Sequence, residues 1–346
     1  MKRWVVPVAV VAALALVPYS TVDVPGLLPG ALNSPGSLQL LALCLLFAGF
    51  ALSYDLLFGH TGLLSFGHAL YVATGTYTTN IAISRWGWSF GAALALTAVV
   101  GLVLPALLGA LALRVNGIAF AMVTLAFAEV GSIVVLSDPG GLTGGEEGLS
   151  LAADRIPGML VGVVHTANLY WLALAYAVVV ALVVRWAVDS EPGRVWAAIR
   201  ENERRVEVLG LDPYRFRLLS YVLSAVLATA GGVVHLLLLS GSTPQTTISS
   251  FTLGLLVMVV LGGAGSRWGA LLGGVLYTYL DHRLSGLSTS DGLSALPDAI
   301  RKPLSEPQFV LGLLFIVAVY FLPRGIAGGL PPGLRDRLRR RKALSR

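Results

Sequence analysis

The stretch SEPGRVWAAIRENERRVEVLG, Ser190 to Gly210, is an Arg/Glu-rich segment set into an otherwise apolar chain. It predicts a helix, with Ser190 at the N-cap, Pro192 in the first turn, Gly210 at C′ and strong helix formers between. On helical spacing Val195, Ile199, Val206 and Leu209 gather towards one side, and Arg200, Glu201, Glu203, Arg204 and Glu207 fill much of the rest. Asp212-Pro213 supplies a second N-cap and N1 pair, so a new helix begins at once and runs apolar from Leu218 to Leu239. An amphipathic charged helix between two membrane-length runs fits a docking element on one bilayer face; a solvated loop helix without a partner has the same spacing.

Composition bounds the rest. Of 346 residues, 56% are hydrophobic and 12% charged, and the mean hydropathy is +0.79. That is too little charge to cover a soluble globule, so the chain is read as an integral membrane protein. Its one cysteine, Cys44, cannot form an internal disulfide. The +6 net charge sits beside apolar runs with no aromatic-basic face, which excludes nucleic acid as a partner.

The expected architecture is an all-α polytopic helical bundle of about ten transmembrane segments. They fall at roughly 4–19, 38–57, 63–83, 89–113, 116–137, 168–188, 216–240, 251–263, 267–281 and 308–323. The first resembles a signal-peptide core, but no small-residue cleavage site follows Val17-Pro18-Tyr19, so it is read as a retained span. The eighth and ninth, at about 13 and 15 residues against the ~20 a crossing needs, read as short or broken helices around Leu261–Gly269. With ten crossings and a cytoplasmic N-terminus, only Arg85, Arg155, Arg283, Arg301 and Lys302 of the 24 Lys and Arg residues fall outside. The positive-inside rule therefore places both termini and the 190–210 helix in the cytoplasm. Asp138, Glu146, Glu147, Asp154, Asp281, Asp291, Asp298 and Glu306 lie in outer loops. Residues 1–330 form one transmembrane domain with a cytoplasmic loop at 189–215, and 331–346 a basic cytoplasmic tail. Arg335 to Arg346 either fixes topology from solution or rests on anionic lipid.

An internal echo links Gly59-His-Thr-Gly62-Leu-Leu-Ser-Phe-Gly67, between segments two and three, with Gly262-Gly-Ala-Gly265-Ser-Arg-Trp-Gly269, between eight and nine. A parallel repeat would carry both, and transporters often hold substrate between such repeats. None of Lys2, Lys302 and Lys342 follows a glycine, so a Walker A lysine is missing and the chain itself has no P-loop. HExxH, CxxC and GxSxG are absent too; His60, His68, His165, His235 and His282 are scattered, and neither a metal site nor a catalytic set is expected. Glu129 lies well inside segment five, where an ionised side chain costs about 2.5–3.5 kcal/mol on insertion scales. It should face the interior, either as a pathway or gate carboxylate near a substrate ammonium or as a neutral acid in an interhelical hydrogen bond. Gly140 to Leu149 carries five glycines around Thr143, Glu146 and Glu147 at the outer mouth, and reads as a mouth element or a turn-rich connector. Gly67, Ala69, Ala73 and Gly75, like Gly269, Ala270, Gly273 and Gly274, permit close helix packing.

Several runs occur in one order: Gly59 to His68, Thr143-Gly-Gly-Glu-Glu-Gly148, Gly193 to Glu203, Leu209-Gly210, Val260 to Ser266 and Pro323-Arg-Gly325. Together, from about Leu40 to Gly329, they resemble the LivM-type permeases of branched-chain amino acid ABC importers. The resemblance implies a bacterial inner-membrane subunit that pairs with a homologous second permease and two cytoplasmic ATPases. It would take ligand from an extracytoplasmic binding protein and bind no cofactor itself, ATP and magnesium being held by the ATPases. It assigns a coupling loop to Gly193, Arg200, Glu201, Asn202, Glu203 and Gly210. The candidate translocation pathway is Gly59, Gly62, Ser65, Gly67, Glu129, Thr143, Gly144, Gly145, Gly262, Gly263 and Gly265. The chain departs from the pattern at Val206, where a small residue is usual, and near Glu191, where a Phe is usual. The rival reading is a secondary transporter or channel for small amides or urea with Glu129 as its intramembrane site.

Overall fold

The computed structural model describes residues 2–23, 28–162, 165–288, 306–322 and 325–328. The basic tail at 331–346, the outer-loop residues Asp291, Asp298, Arg301 and Lys302, and Pro323 and Arg324 lie outside them. The described helices are α1 (Lys2–Ala15), α2 (Pro35–Asp55), α3 (His68–Ser84), α4 (Phe90–Ala112), α5 (Ile118–Leu136) and α6 (Thr166–Asp189). They continue as α7 (Glu191–Val208), α8 (Pro213–Leu239), α9 (Ser249–Gly262), α10 (Arg267–Ser288), α11 (Pro307–Phe321) and the turn α12 (Gly325–Gly328). Two short strands, β1 (Leu149–Ser150) and β2 (Gly241–Ser242), pair antiparallel. Among the described residues six helices are long and apolar enough to cross a membrane, and the chain is a multi-pass helical membrane protein.

Contacts at the helix ends fix the chain's course. Tyr170 near the start of α6 donates to the Leu14 carbonyl at the end of α1, so these two run antiparallel. Asn80 in α3 donates to the Leu149 carbonyl and the Ser242 hydroxyl, tying α3 and the end of α8 to the strand pair. At the opposite end Tyr214 donates to the Ala110 carbonyl of α4. The bundle therefore has a strand end and an α7 end. α2 packs most heavily on α6 and α10, and α3 on α8.

Two expectations about helix length resolve differently. The eighth segment is short, α9 having 14 residues. The ninth is not: α10 runs unbroken for 22 residues, past the point where hydropathy fades, because helix formation continues through Asp281 to Arg283. An apolar window marks membrane burial rather than the helix itself, so it truncated this element.

Small residues set how closely the helices approach. At the α3–α8 crossing Gly75 and Gly232 face one another, and a Cβ built on Gly232 would collide with the Val72 carbonyl and lie 3.0 Å from the Gly75 Cα. Gly274 of α10 likewise lies against α2, where its Cβ would be 2.6 Å from the Ala48 Cα. Hydroxyls satisfy much of the buried polar backbone: the Ala69 amide at the start of α3 donates to Thr252 Oγ1 of α9 at 2.9 Å. Gly232→Val should destabilise the fold by roughly 1–3 kcal/mol or more, since backbone on both helices would have to move. Gly312→Ala, at an open position of α11, should leave the detergent-solubilised melting temperature within a few degrees.

Candidate functional site

The Arg/Glu-rich stretch folds as two helical pieces. Asn202 has extended backbone angles, φ −162° and ψ 102°, inside α7. Its Oδ1 accepts from the Arg205 amide at 3.2 Å, so Asn202 is the N-cap of the second piece, with Glu203 in the first turn. Gly210 ends that piece in the left-handed region at φ +79°. The Gly210 amide donates to the Glu207 carbonyl at 2.9 Å and the Leu211 amide to the Val206 carbonyl at 3.3 Å, which is a Schellman closure. Asp212 caps α8 through the Tyr214 amide at 3.1 Å. Ser190 occupies the N-cap position of α7 but donates its hydroxyl back to the Ala187 carbonyl of α6.

The break rotates the second piece and changes which residues are buried. Gly193, Trp196, Ile199 and Val206 face the bundle, and Trp196 donates to the Phe216 carbonyl at 2.8 Å. Leu209, expected on that side, is 77% exposed beside Val208 at 82%. Gly193 has no room for a Cβ, which would collide with the Val188 carbonyl.

Beneath α7 the two glycine-rich stretches meet. α2 passes from Asp55 into a π-helical turn, Leu56–Thr61, that ends at Gly62 with φ +81°. Arg200 donates from its guanidinium to the Gly59 carbonyl in this turn. Gly62 lies under the Arg200 stem and Gly265 beside its Nη1, and Gly59 abuts the Gly265 amide. Asp55, completely buried, accepts from that Gly265 amide at 2.8 Å. His60 lies 3.6 Å from the other Asp55 oxygen. Gly325, with φ +68°, closes onto Gly262 and Gly263. Glu203 pairs with Arg217 of α8, whose other nitrogen donates to Asn116 Oδ1 at 2.7 Å. Arg267 makes a bidentate pair with Asp189 at 2.8 and 3.2 Å.

The remaining candidates lie elsewhere. Ser65 and Gly67 are buried at the entry to α3, where Tyr54 donates to the Ser65 carbonyl and Phe66 to Thr124 Oγ1. Thr143, Gly144 and Gly145 are at the strand end. There Asp138 Oδ1 gathers the Thr143 amide at 2.7 Å, the Thr143 hydroxyl at 3.0 Å and the Gly144 amide at 3.0 Å. The Thr143 amide bond is the leading reason the Asp138 carboxyl is held below its usual range. Glu129, expected to face the interior, is exposed on the outer side of α5 with Met122, Val130 and Ile133. The other side of α5, through Phe120, Thr124 and Ala128, is the one that packs on this chain.

Residues 36–319 match the family described as branched-chain amino acid transport system / permease component. The chain belongs to that permease family. It is 28% identical over 265 residues to the high-affinity branched-chain amino acid transport system permease protein LivM of Salmonella typhimurium, and 27% identical over 265 residues to that of Escherichia coli. Each match takes in 70% of this chain, and the chain spans about 62% of the length of these curated relatives. A probable branched-chain amino acid transport permease protein LivM of Methanocaldococcus jannaschii is 26% identical over 161 residues, 45% of each chain. No solved structure matches.

Within the permease the fold brings Gly59, Gly62 and Gly265 together under Arg200, with Gly262 and Gly263 against Gly325 beside them, and separates them from Thr143–Gly145 at the far end and from Glu129 on the rim. Asp55, which holds the two loops together, went unrecognised in the sequence. Its signal was available: a carboxylate inside the apolar run 38–57, four residues before Gly59. Because the Asp138 carboxyl is lowered in the folded state, its hold on the 140–148 loop is complete above the unfolded value near 3.9 and lost as pH falls through the folded value. Hydrogen exchange at the Thr143 and Gly144 amides should be flat from neutral pH down to about 4 after correction for intrinsic rates, then accelerate. Asp138→Ala should show the faster exchange at neutral pH.

Proposed function

We propose that this permease is the membrane subunit of an ATP-driven importer for branched-chain or related amino acids. It sits in the bacterial inner membrane with both termini and α7 in the cytoplasm and ten crossings. It assembles with a homologous second permease and two ATPases, which hold ATP and magnesium, and receives substrate from an extracytoplasmic binding protein. The similarity to branched-chain amino acid permeases supports the substrate class, and the positive-inside asymmetry supports the orientation.

The observation that carries the coupling role is the two-sided character of α7. One side is locked into the bundle through Trp196, Arg200 and Glu203. The other offers Glu201, Arg204 and Glu207 next to the exposed Val208, Leu209 and Leu211. That second side is the docking surface in this reading, its apolar residues set among charges as in a protein interface. Arg200 and Glu203 are transmitting contacts: closure of the ATPases moves α7, and Arg200 carries the movement to the glycine loops and so shifts the population of open states. Gly59, Gly62, Ser65, Gly67, Gly262, Gly263 and Gly265 move as the inner gate. Thr143, Gly144 and Gly145 shape the outer mouth, and Glu129 faces the path shared with the second permease.

These roles separate experimentally. Leu209→Asp, at a position that is 77% exposed, should leave the permease folded yet weaken ATPase co-purification by on the order of 2 kcal/mol, roughly thirtyfold. Arg200→Ala should keep the ATPases bound and uncouple ATP hydrolysis from amino-acid uptake in reconstituted vesicles. Normal uptake by both variants overturns the coupling assignment. Uptake by the chain alone, driven by an ion gradient and indifferent to ATP, overturns the importer reading.

A further inference from the structure

A groove of about 660 Å³ runs between α1, α2, α6 and α10, walled by aliphatic side chains such as Val10, Leu52, Ala177 and Leu271. It opens sideways past Val10, Leu182 and Leu272, which are about half exposed. At its α7 end the lining changes character to Arg185, Ser266 and Arg267. Both arginines approach the Asp189 carboxylate, Arg185 at 3.9 Å and Arg267 at 2.8 Å, and the groove lining itself carries these two arginines and no carboxylate. Trp186 and Trp268, each the sequence neighbour of one of these arginines, are 73% and 51% exposed.

Length and charge together select an occupant. On α6 the lining runs from Leu174 to Arg185, about 16 Å at 1.5 Å per residue, which is one leaflet of a ~30 Å hydrocarbon core. The exposed tryptophans mark the level of the lipid headgroups, where aromatic side chains collect. Arginine guanidinium is the preferred partner of phosphate, and basic recesses between membrane helices recognise anionic headgroups.

We propose that this groove binds one anionic phospholipid of the leaflet on the α7 side, an acyl chain lying along α6 and the phosphodiester held by Arg185 and Arg267. The inference rests on the reading of the α7 end as a membrane boundary and is independent of what the permease carries. Bound there, the lipid would brace α1 and α6 beside the Asp189–Arg267 pair from which α7 departs.

The test is native mass spectrometry of the full-length chain, purified with whichever subunits accompany it, delipidated in detergent and titrated with phosphatidylglycerol or phosphatidylcholine. Wild type should retain phosphatidylglycerol preferentially, and Arg185→Gln should cut that preference about fivefold, the effect of one interfacial charge. Leu182→Trp, which fills the groove without touching the arginines, should lower retention of both lipids and keeps the test open should Arg185→Gln fail to fold. Equal retention of the two lipids by wild type, a preference unmoved by Arg185→Gln, or retention unmoved by Leu182→Trp, overturns the proposal. So does cross-linking of Leu182→Cys, in a Cys44→Ala background, to a neighbouring subunit rather than to a lipid probe. Transport forms no part of the readout, so failure here leaves the importer reading standing, and loss of that reading leaves this one intact.

Discussion

Arg200 reaches out of α7 to the Gly59 carbonyl, and it can do so only because Gly62 and Gly265 present no side chains in its way. A charged hydrogen bond of this kind contributes about 1.5–3 kcal/mol, and its acceptor is exposed because the α2 ladder widens into a π-turn just there. Asp55 completes the arrangement from below by accepting from the Gly265 amide, so one carboxylate and one guanidinium clasp two backbone loops between them. Each loop alone would leave buried polar backbone without a partner. Together with α7 they satisfy one another, and three connections distant in sequence become one mechanical unit.

That unit is continuous with the rest of the bundle through backbone rather than through long side chains. The loop leaving Gly62 enters α3, whose first turn is tied to Thr252 of α9 and whose approach is tied to Thr124 of α5. α3 then meets α8 glycine to glycine, and its far end is pinned by Asn80 to both short strands. Backbone crossings of this kind resist gradual deformation, since a packed glycine contact has no flexible side chain to absorb a shift. Movement at one end is therefore more naturally a rigid displacement of α3 and α8 than a local adjustment.

The sequence made the helices legible because hydrophobic length is a strong signal, and it made the α7 stretch legible because charge there has no other explanation. It made Asp212 legible as a cap and Gly210 as a terminator, since both act through neighbours a few residues away. What it hid was set by partners distant in the chain. The break at Asn202 lies within a run of good helix formers, and only the pull of Arg200 and Glu203 towards different elements, Gly59 and Arg217, accompanies it in the fold. Ser190 sits where a cap should be and spends its hydroxyl on α6. Asp55 has its partner, the Gly265 amide, 210 positions away, where no local pattern points to it. The glycine echo was visible, whereas the mutual contact of its two halves was not, because spacing carries no information about which loops meet.

Glu129 is instructive because the expectation for it was physically sound and the single chain does not meet it. The apolar window of α2 is 78% buried within the chain and that of α5 only 33%, so this molecule has a centre and a rim. An aliphatic side chain on the rim is nearly indifferent to whether lipid or protein covers it, since the two are equally apolar. A carboxylate is not: facing acyl chains it costs about 2.5–3.5 kcal/mol, and facing donors it costs far less. It is the one ionisable residue in α5, and it shares its exposed side with Met122, Val130 and Ile133. The requirement that an intramembrane charge be sheltered therefore still holds. The shelter has to come from outside the described residues, which sets α5 apart from α4 and α11, whose uncharged exposed sides carry no such demand.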